Sequence, residues 1–191
     1  MEKNSMTMNK KLQPKYKKKE LILSSIYSRS IISRTITLPI TVIGKNLNQV
    51  IEEYISFNYE GKCVVEGFIK PNSTKLITYS SGTIKRGNHV SFDVVFETQL
   101  CFPVEGTINS CLAKTNTKAG ITAESVDEKP TPIIVFIARD HHYSSSYFNE
   151  IKEGDKINIK VIGQRFELND KYISIIGELI KQHKPKLVIE A

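Results

Sequence analysis

With 191 residues, 40% apolar and 25% charged, the chain can bury a core sized for one domain or two small ones, which excludes a chain unfolded over most of its length. A formal net charge of +7 and a pI of about 9.2 point to a polyanionic partner, or to a basic tail that holds part of the excess. Cys63, Cys101 and Cys111 make no Cys-x-x-Cys pair, and an odd count without a secretory signal predicts reduced thiols in an intracellular compartment.

Residues 1–33 read as a basic disordered tail. Lys10, Lys11, Lys15, Lys17, Lys18 and Lys19 have few apolar neighbours and cannot bury enough surface to offset chain entropy. The run could otherwise lie on nucleic acid or on an acidic partner. Leu21 to Ile32 is too short and too polar to span a bilayer and lacks a small-residue cleavage site, so neither a membrane span nor a signal peptide is expected.

A first ordered unit is predicted over 34–102. Thr35 to Val42 alternates as a half-buried strand, and Pro39 places it at a sheet edge or at a bulge. Asn46 and Gln49 have the spacing of a capping box. Leu47, Val50, Ile51, Tyr54 and Ile55 then share one helical face. Strands are expected at 62–69, 75–84 and 89–101, the last with Val90, Phe92, Val94 and Phe96 on one face. The fold class is therefore α+β followed by all-β, with one helix backing an antiparallel sheet.

Pro103 marks the start of a second unit over 103–180. Short strands are predicted at 104–114, 121–126, 133–138, 156–166 and 172–179, with an irregular insert after the third. Five strands with that insert match an OB barrel. Residues 181–191 read as a second tail.

Catalytic groupings are not suggested. No Gly-rich phosphate loop and no His or Cys metal spacing is present, so neither a cofactor nor a metal is expected. Arg139-Asp140-His141-His142-Tyr143 is the one concentrated polar cluster; it reads as a structural loop, as a contact to RNA, or as an acid–base site without a partner nucleophile. A barrel of this kind binds oligonucleotides on its second and third strands and between the loops joining strands one–two and four–five. The RNA-binding candidates are therefore Lys114, Lys118, Phe136, Arg139, His141, His142, Arg165 and Lys171. Phe136 reads first as a core residue and second as a stacking surface, and the lysines could be ordinary solvated residues.

The segments Glu60-Gly61-Lys62-Cys63, Val90-Ser91-Phe92-Asp93-Val94-Val95-Phe96 and Pro103-Val104-Glu105-Gly106, in that order, resemble the seventh subunit of eukaryotic RNA polymerase II and its archaeal E-subunit counterpart. The resemblance covers about three quarters of the chain, residues 35–180. Lys118-Ala119-Gly120-Ile121 and Val161-Ile162-Gly163-Gln164-Arg165-Phe166-Glu167 are most similar to versions in large nucleocytoplasmic DNA viruses.

That resemblance implies a non-catalytic stalk subunit. A truncated RNP-like helix-on-sheet domain would plug into the polymerase, and the OB barrel would contact nascent RNA. Carried onto this chain, docking would involve Gly61, Cys63, Gly67, Pro71 and Asn72. The sequence departs from the family here, with Val64-Val65-Glu66-Gly67-Phe68-Ile69 in place of the usual Gly-aromatic-Gly stretch. The implied partners are the largest and second-largest polymerase subunits, a fourth-subunit-like stalk partner and nascent RNA, with no membrane. The implied location is the viral transcription site in host cytoplasm or nucleus, with packaging in the virion left open. The alternative is a free-standing OB-fold RNA-binding protein of translation or RNA decay.

Overall fold

A computed structural model describes residues 26–44, 46–126, 129–142 and 146–180. The chain is mostly β, in two sheets. The first carries β1 (Tyr27–Pro39), β2 (Cys63–Val64), β3 (Gly67–Ile69), β4 (Lys75–Tyr79), β5 (Thr83–Lys85) and β6 (His89–Cys101), with one helix, α1 (Leu47–Tyr59). The second holds β7 (Ile108–Asn116), β8 (Gly120–Ser125), β9 (Ile133–Ala138), β10 (Lys156–Arg165) and β11 (Ile173–Ile180). Between β9 and β10 lie a 3-10 turn, Arg139–His141, and a short helix, α2 (Ser146–Glu150).

In the first sheet β6 is the spine. β1 pairs with it antiparallel from Tyr27↔Cys101 to Pro39↔His89, and β3, β4 and β5 share its other side. Pro39, which cannot donate to a ladder, thus ends an edge strand. The strand begins at Tyr27, eight residues before its predicted start at Thr35, and pairs along the whole length of the 13-residue β6. Tyr27 and Ile32 turn inward, while Ser28, Arg29 and Ile31 stay exposed and hide the period in the sequence. The rest of the basic run and residues 181–191 lie outside the described residues.

Ile51 and Ile55 of α1 are buried in one cluster with Ile36, Phe92, Val94 and Phe96 of the sheet, as the helical spacing predicts. The capping box does not form. Asn46 makes no side-chain cap bond, and Gln49 donates instead to Glu53 Oε1 at 2.9 Å, one turn on. Two predicted strands are each split. The 62–69 run folds into the β2–β3 hairpin about Val65 and Glu66. The 75–84 run breaks after Tyr79, where the Ser80 hydroxyl accepts the Asp93 amide at 3.0 Å in place of a ladder carbonyl.

The second sheet closes as a barrel in the order β10-β11-β9-β8-β7, which fits an OB-like fold. Alternate residues fill it: Ile157, Ile159 and Val161 from β10, Ile133, Val135 and Ile137 from β9, and Ile173 and Ile175 from β11. Tyr27, Cys63, Phe68 and Cys101 of the first sheet belong to this same buried cluster. Two backbone bonds reinforce the junction: Cys63 N–H donates to Asp170 O at 2.7 Å, and Asn169 N–H donates to Cys63 O at 2.9 Å. The β10–β11 turn is thereby stitched to the first sheet. Among the described residues no helix is long and apolar enough to cross a membrane.

Candidate nucleic-acid interface

The outer wall of the barrel carries one row of side chains across three strands. Thr122 on β8 is in register with Phe136 on β9, and Phe136 with Ile176 on β11. At about 4.8 Å between strands the row is about 10 Å wide, enough for one base to lie flat. Phe136 is 41% exposed and Ile176 51%. Phe136 is therefore a wall residue and not a core residue. The unbroken apolar run Ile133–Ala138 concealed an alternation in which Ile133, Val135 and Ile137 point inward and Phe136 outward. Gly120 leaves the room for that ring: a Cβ there would stand 2.4 Å from Ile137 O and 2.9 Å from the Phe136 ring.

Cations stand beyond both ends of the strands, on either side of the row. The β7–β8 turn carries Lys118, exposed and without an ion pair among the described residues. It lies beside the end of β9, where Arg139 N–H donates to Ala119 O at 3.1 Å. His141 is exposed at the same end. The opposite end carries Arg165, whose register partner Ser174 follows the start of β11, and Lys171 in the β10–β11 turn. Ile133 and Ala138, five positions apart at the two ends of β9, lie about 17 Å from each other. A single strand of a few nucleotides is long enough to span that distance.

The remaining candidates divide. Lys114 pairs with Glu124 at 3.0 Å and Arg165 with Glu167 at 3.2 Å. Both pairs are at least partly exposed, so each contributes little to stability. His142 is a correction to the RNA-binding set. It is buried, its Nδ1 lies 3.0 Å from Ala138 O, and its Nε2 accepts the Leu179 N–H at 2.8 Å. That second bond requires a bare Nε2, so the proton sits on Nδ1 and the ring has nothing left to offer a ligand. Arg139 is also engaged inside the chain, through Asn149 and Thr117.

Two residues beyond the candidates belong to this wall: Ile176, and the 43% exposed Tyr172 next to Lys171. The period-two pattern from Ile173 to Ile180 assigns Ile176 to the outer face and could have revealed it.

The docking candidates lie on the first sheet. Cys63 and Gly67 are buried, which corrects their assignment as surface contacts: Cys63 joins the two sheets, and Gly67 adopts φ +135 with no room for a Cβ, 2.5 Å from Cys101 O. Gly61, at φ +68, donates its N–H to Ile69 O at 2.9 Å. Half-buried Pro71 and exposed Asn72 form a turn held by the Glu60 carboxylate, which accepts N–H bonds from Asn72 at 2.9 Å, Ser73 at 3.1 Å and Thr74 at 2.9 Å.

No disulfide joins the three buried cysteines. Burial, with the Asp170 charge adding to it, pushes the Cys63 thiol up to about 11, and burial pushes the Cys111 thiol up to about 12. Both stay protonated and inert at neutral pH. Among the described residues no three His, Cys, Asp or Glu side chains gather as a metal site.

No protein-family model matches the chain. One relative, from Acanthamoeba polyphaga mimivirus and named a putative DNA-directed RNA polymerase subunit, is 27% identical over 161 residues, covering 75% of this chain and 76% of its own length. That similarity, at modest identity, bears out the resemblance to an RNA polymerase subunit of a large DNA virus.

Proposed function

We propose that this chain is a non-catalytic accessory subunit of a viral DNA-directed RNA polymerase, placed in the stalk, which holds nascent RNA on its barrel wall. The observation that carries the RNA role is Phe136: an exposed aromatic ring at mid-strand, with Lys118 beyond one end of β9 and Lys171 beyond the other. Cations at the ends and an apolar middle suit a flexible single strand better than a rigid duplex. Stacking on an aromatic ring is open to every base, so binding is tolerant of sequence.

The first sheet with α1 acts as the docking half, of truncated RNP-like form. It presents the Pro71–Asn72 turn to the two largest polymerase subunits, and a fourth-subunit-like protein sits alongside. The site of action is where the virus transcribes. The shared core and the Cys63–Asp170 stitch make the docking half and the RNA half one body, so the position of the wall is set by where the first sheet is anchored.

Phe136→Ala should weaken binding of a single-stranded oligouridylate by about 1–3 kcal/mol, the usual worth of one base stacked on an aromatic ring. The salt dependence should stay as in the parent, because no phosphate contact is removed. Fluorescence anisotropy at several salt concentrations measures both. Unchanged affinity would remove Phe136 from the interface and the stacking wall with it.

A further inference from the structure

The β9–β10 connection is bonded more heavily than a loop that only returns the chain. The Arg139 guanidinium donates from Nη1 to Asn149 Oδ1 on α2 at 3.0 Å, and from Nη2 to Thr117 O in the β7–β8 turn at 3.1 Å. The backbone N–H of Arg139 donates to Ala119 O. Bonds from one residue thus bracket Lys118 on both sides. The guanidinium carbon lies 5.0 Å from the centre of the Phe148 ring, and that ring stacks with His142 at 5.6 Å and 22°. His142 is fixed in turn by Ala138 and Leu179. A continuous series of contacts therefore runs from β11 through His142, Phe148 and Arg139 to the tip of the β7–β8 hairpin.

The turn keeps its own shape by local bonds, Thr117 N–H to Gly120 O at 2.9 Å and Gly120 N–H to Thr117 Oγ1 at 3.3 Å. The ladders fix the two ends of the turn, at Asn116↔Ile121 and Gly120↔Ala138, and the Arg139 bonds hold its tip at Thr117 and Ala119. A planar guanidinium reaches two acceptors on different elements while lying over a ring, and an ammonium on a flexible stem does not.

We propose that the linked contacts of His142, Phe148 and Arg139 form a clamp and that Arg139 is a positioning residue, which fixes Lys118 beside the end of β9 instead of gripping phosphate itself. The inference rests on the reading of the barrel wall as an RNA surface. It makes Arg139 and Lys118 one functional unit: the second cation is productive only while the first holds its turn.

The test uses the full chain and a fluorescein-labelled decauridylate, titrated over a range of salt. Lys118→Gln should raise the Kd severalfold and flatten the salt slope by about 0.7, the share of one phosphate contact on a single strand. Arg139→Lys keeps the charge, yet should raise the Kd by a similar factor and flatten the slope by a similar amount. The double variant should bind like either single variant. Without RNA, 15N relaxation of Arg139→Lys should show increased motion at Lys118 and Ala119. Arg139→Lys with parental affinity and slope, or factors that multiply in the double variant, would overturn the positioning role, as would unchanged relaxation at Lys118. If the parent chain binds no oligouridylate, the RNA reading itself fails and takes the positioning role with it, while the relaxation result still separates a structural clamp from none.

Discussion

Phe68→Ala should lower the stability of the whole chain by about 3–5 kcal/mol, the cost of emptying a fully enclosed aromatic site. Phe68 has no exposed surface, stands opposite Cys63 and Cys101 on the first sheet, and is buried in the cluster that fills the barrel. Its loss opens the junction, where Gly67 already brings β3 against the Cys101 carbonyl and leaves little freedom to collapse. For a domain of this size each kcal/mol shifts the melting temperature by about 2–4 °C, so a fall of about 10 °C is expected. Calorimetry should show a single transition displaced as a whole, because both sheets share the damaged core. A barrel transition that stays in place while another moves would mean that the halves fold separately, and the wall would then not be rigidly tied to the docking half.

Glu60→Gln should cost about 2–3 kcal/mol, because both carboxylate oxygens accept bonds and an amide nitrogen facing N–H donors cannot. Oε1 accepts from Ser73 and Thr74, and Oε2 accepts from Asn72 and from the Ser56 hydroxyl at 2.7 Å. Burial pushes the Glu60 carboxyl up, but the bonds from Thr74, Ser56 and Asn72 together outweigh it and hold the group below the ordinary value of 4.5. A folded value below the unfolded one stabilises the chain fully above 4.5, and that stabilisation is lost as pH falls through the lower folded value. The difference between parent and Glu60→Gln should therefore be constant near neutrality and shrink in acid. Urea denaturation at pH 7 and pH 3 measures it; an equal difference at both values would show that the carboxylate charge is not what holds the turn. The same turn presents Pro71 and Asn72, so the variant should also weaken assembly with the polymerase.

The parts of this fold that were legible in the sequence are those where period and burial agree. The helical Leu47–Ile55 face and the Val90–Phe96 face of β6 pack on one core, and the alternating inward residues of β10 and β11 pack on the other. What escaped reading did so for local reasons. The first seven residues of β1 include three serines and Arg29, which blur the apolar period, and their partner lies about seventy positions away on β6. Phe136 sits in a run where every residue is apolar, so only the closed barrel reveals which way it points. His141 and His142 are adjacent and chemically identical, yet one is exposed and the other is held at both ring nitrogens. Spacing identified the polar cluster after β9, and tertiary contacts assigned its members to different tasks. Cys63 and Gly67 enter the docking set only through the family resemblance, whereas their contacts belong to the junction between the sheets.

The most direct measurement is affinity purification of the tagged full chain from cells in which the virus is transcribing, followed by mass spectrometry. The largest and second-largest polymerase subunits should be recovered in amounts comparable to the chain, and recovery should survive nuclease treatment, because docking runs through protein. Ribosomal or initiation-factor proteins in place of those subunits would contradict the assignment and leave a barrel that binds RNA outside transcription.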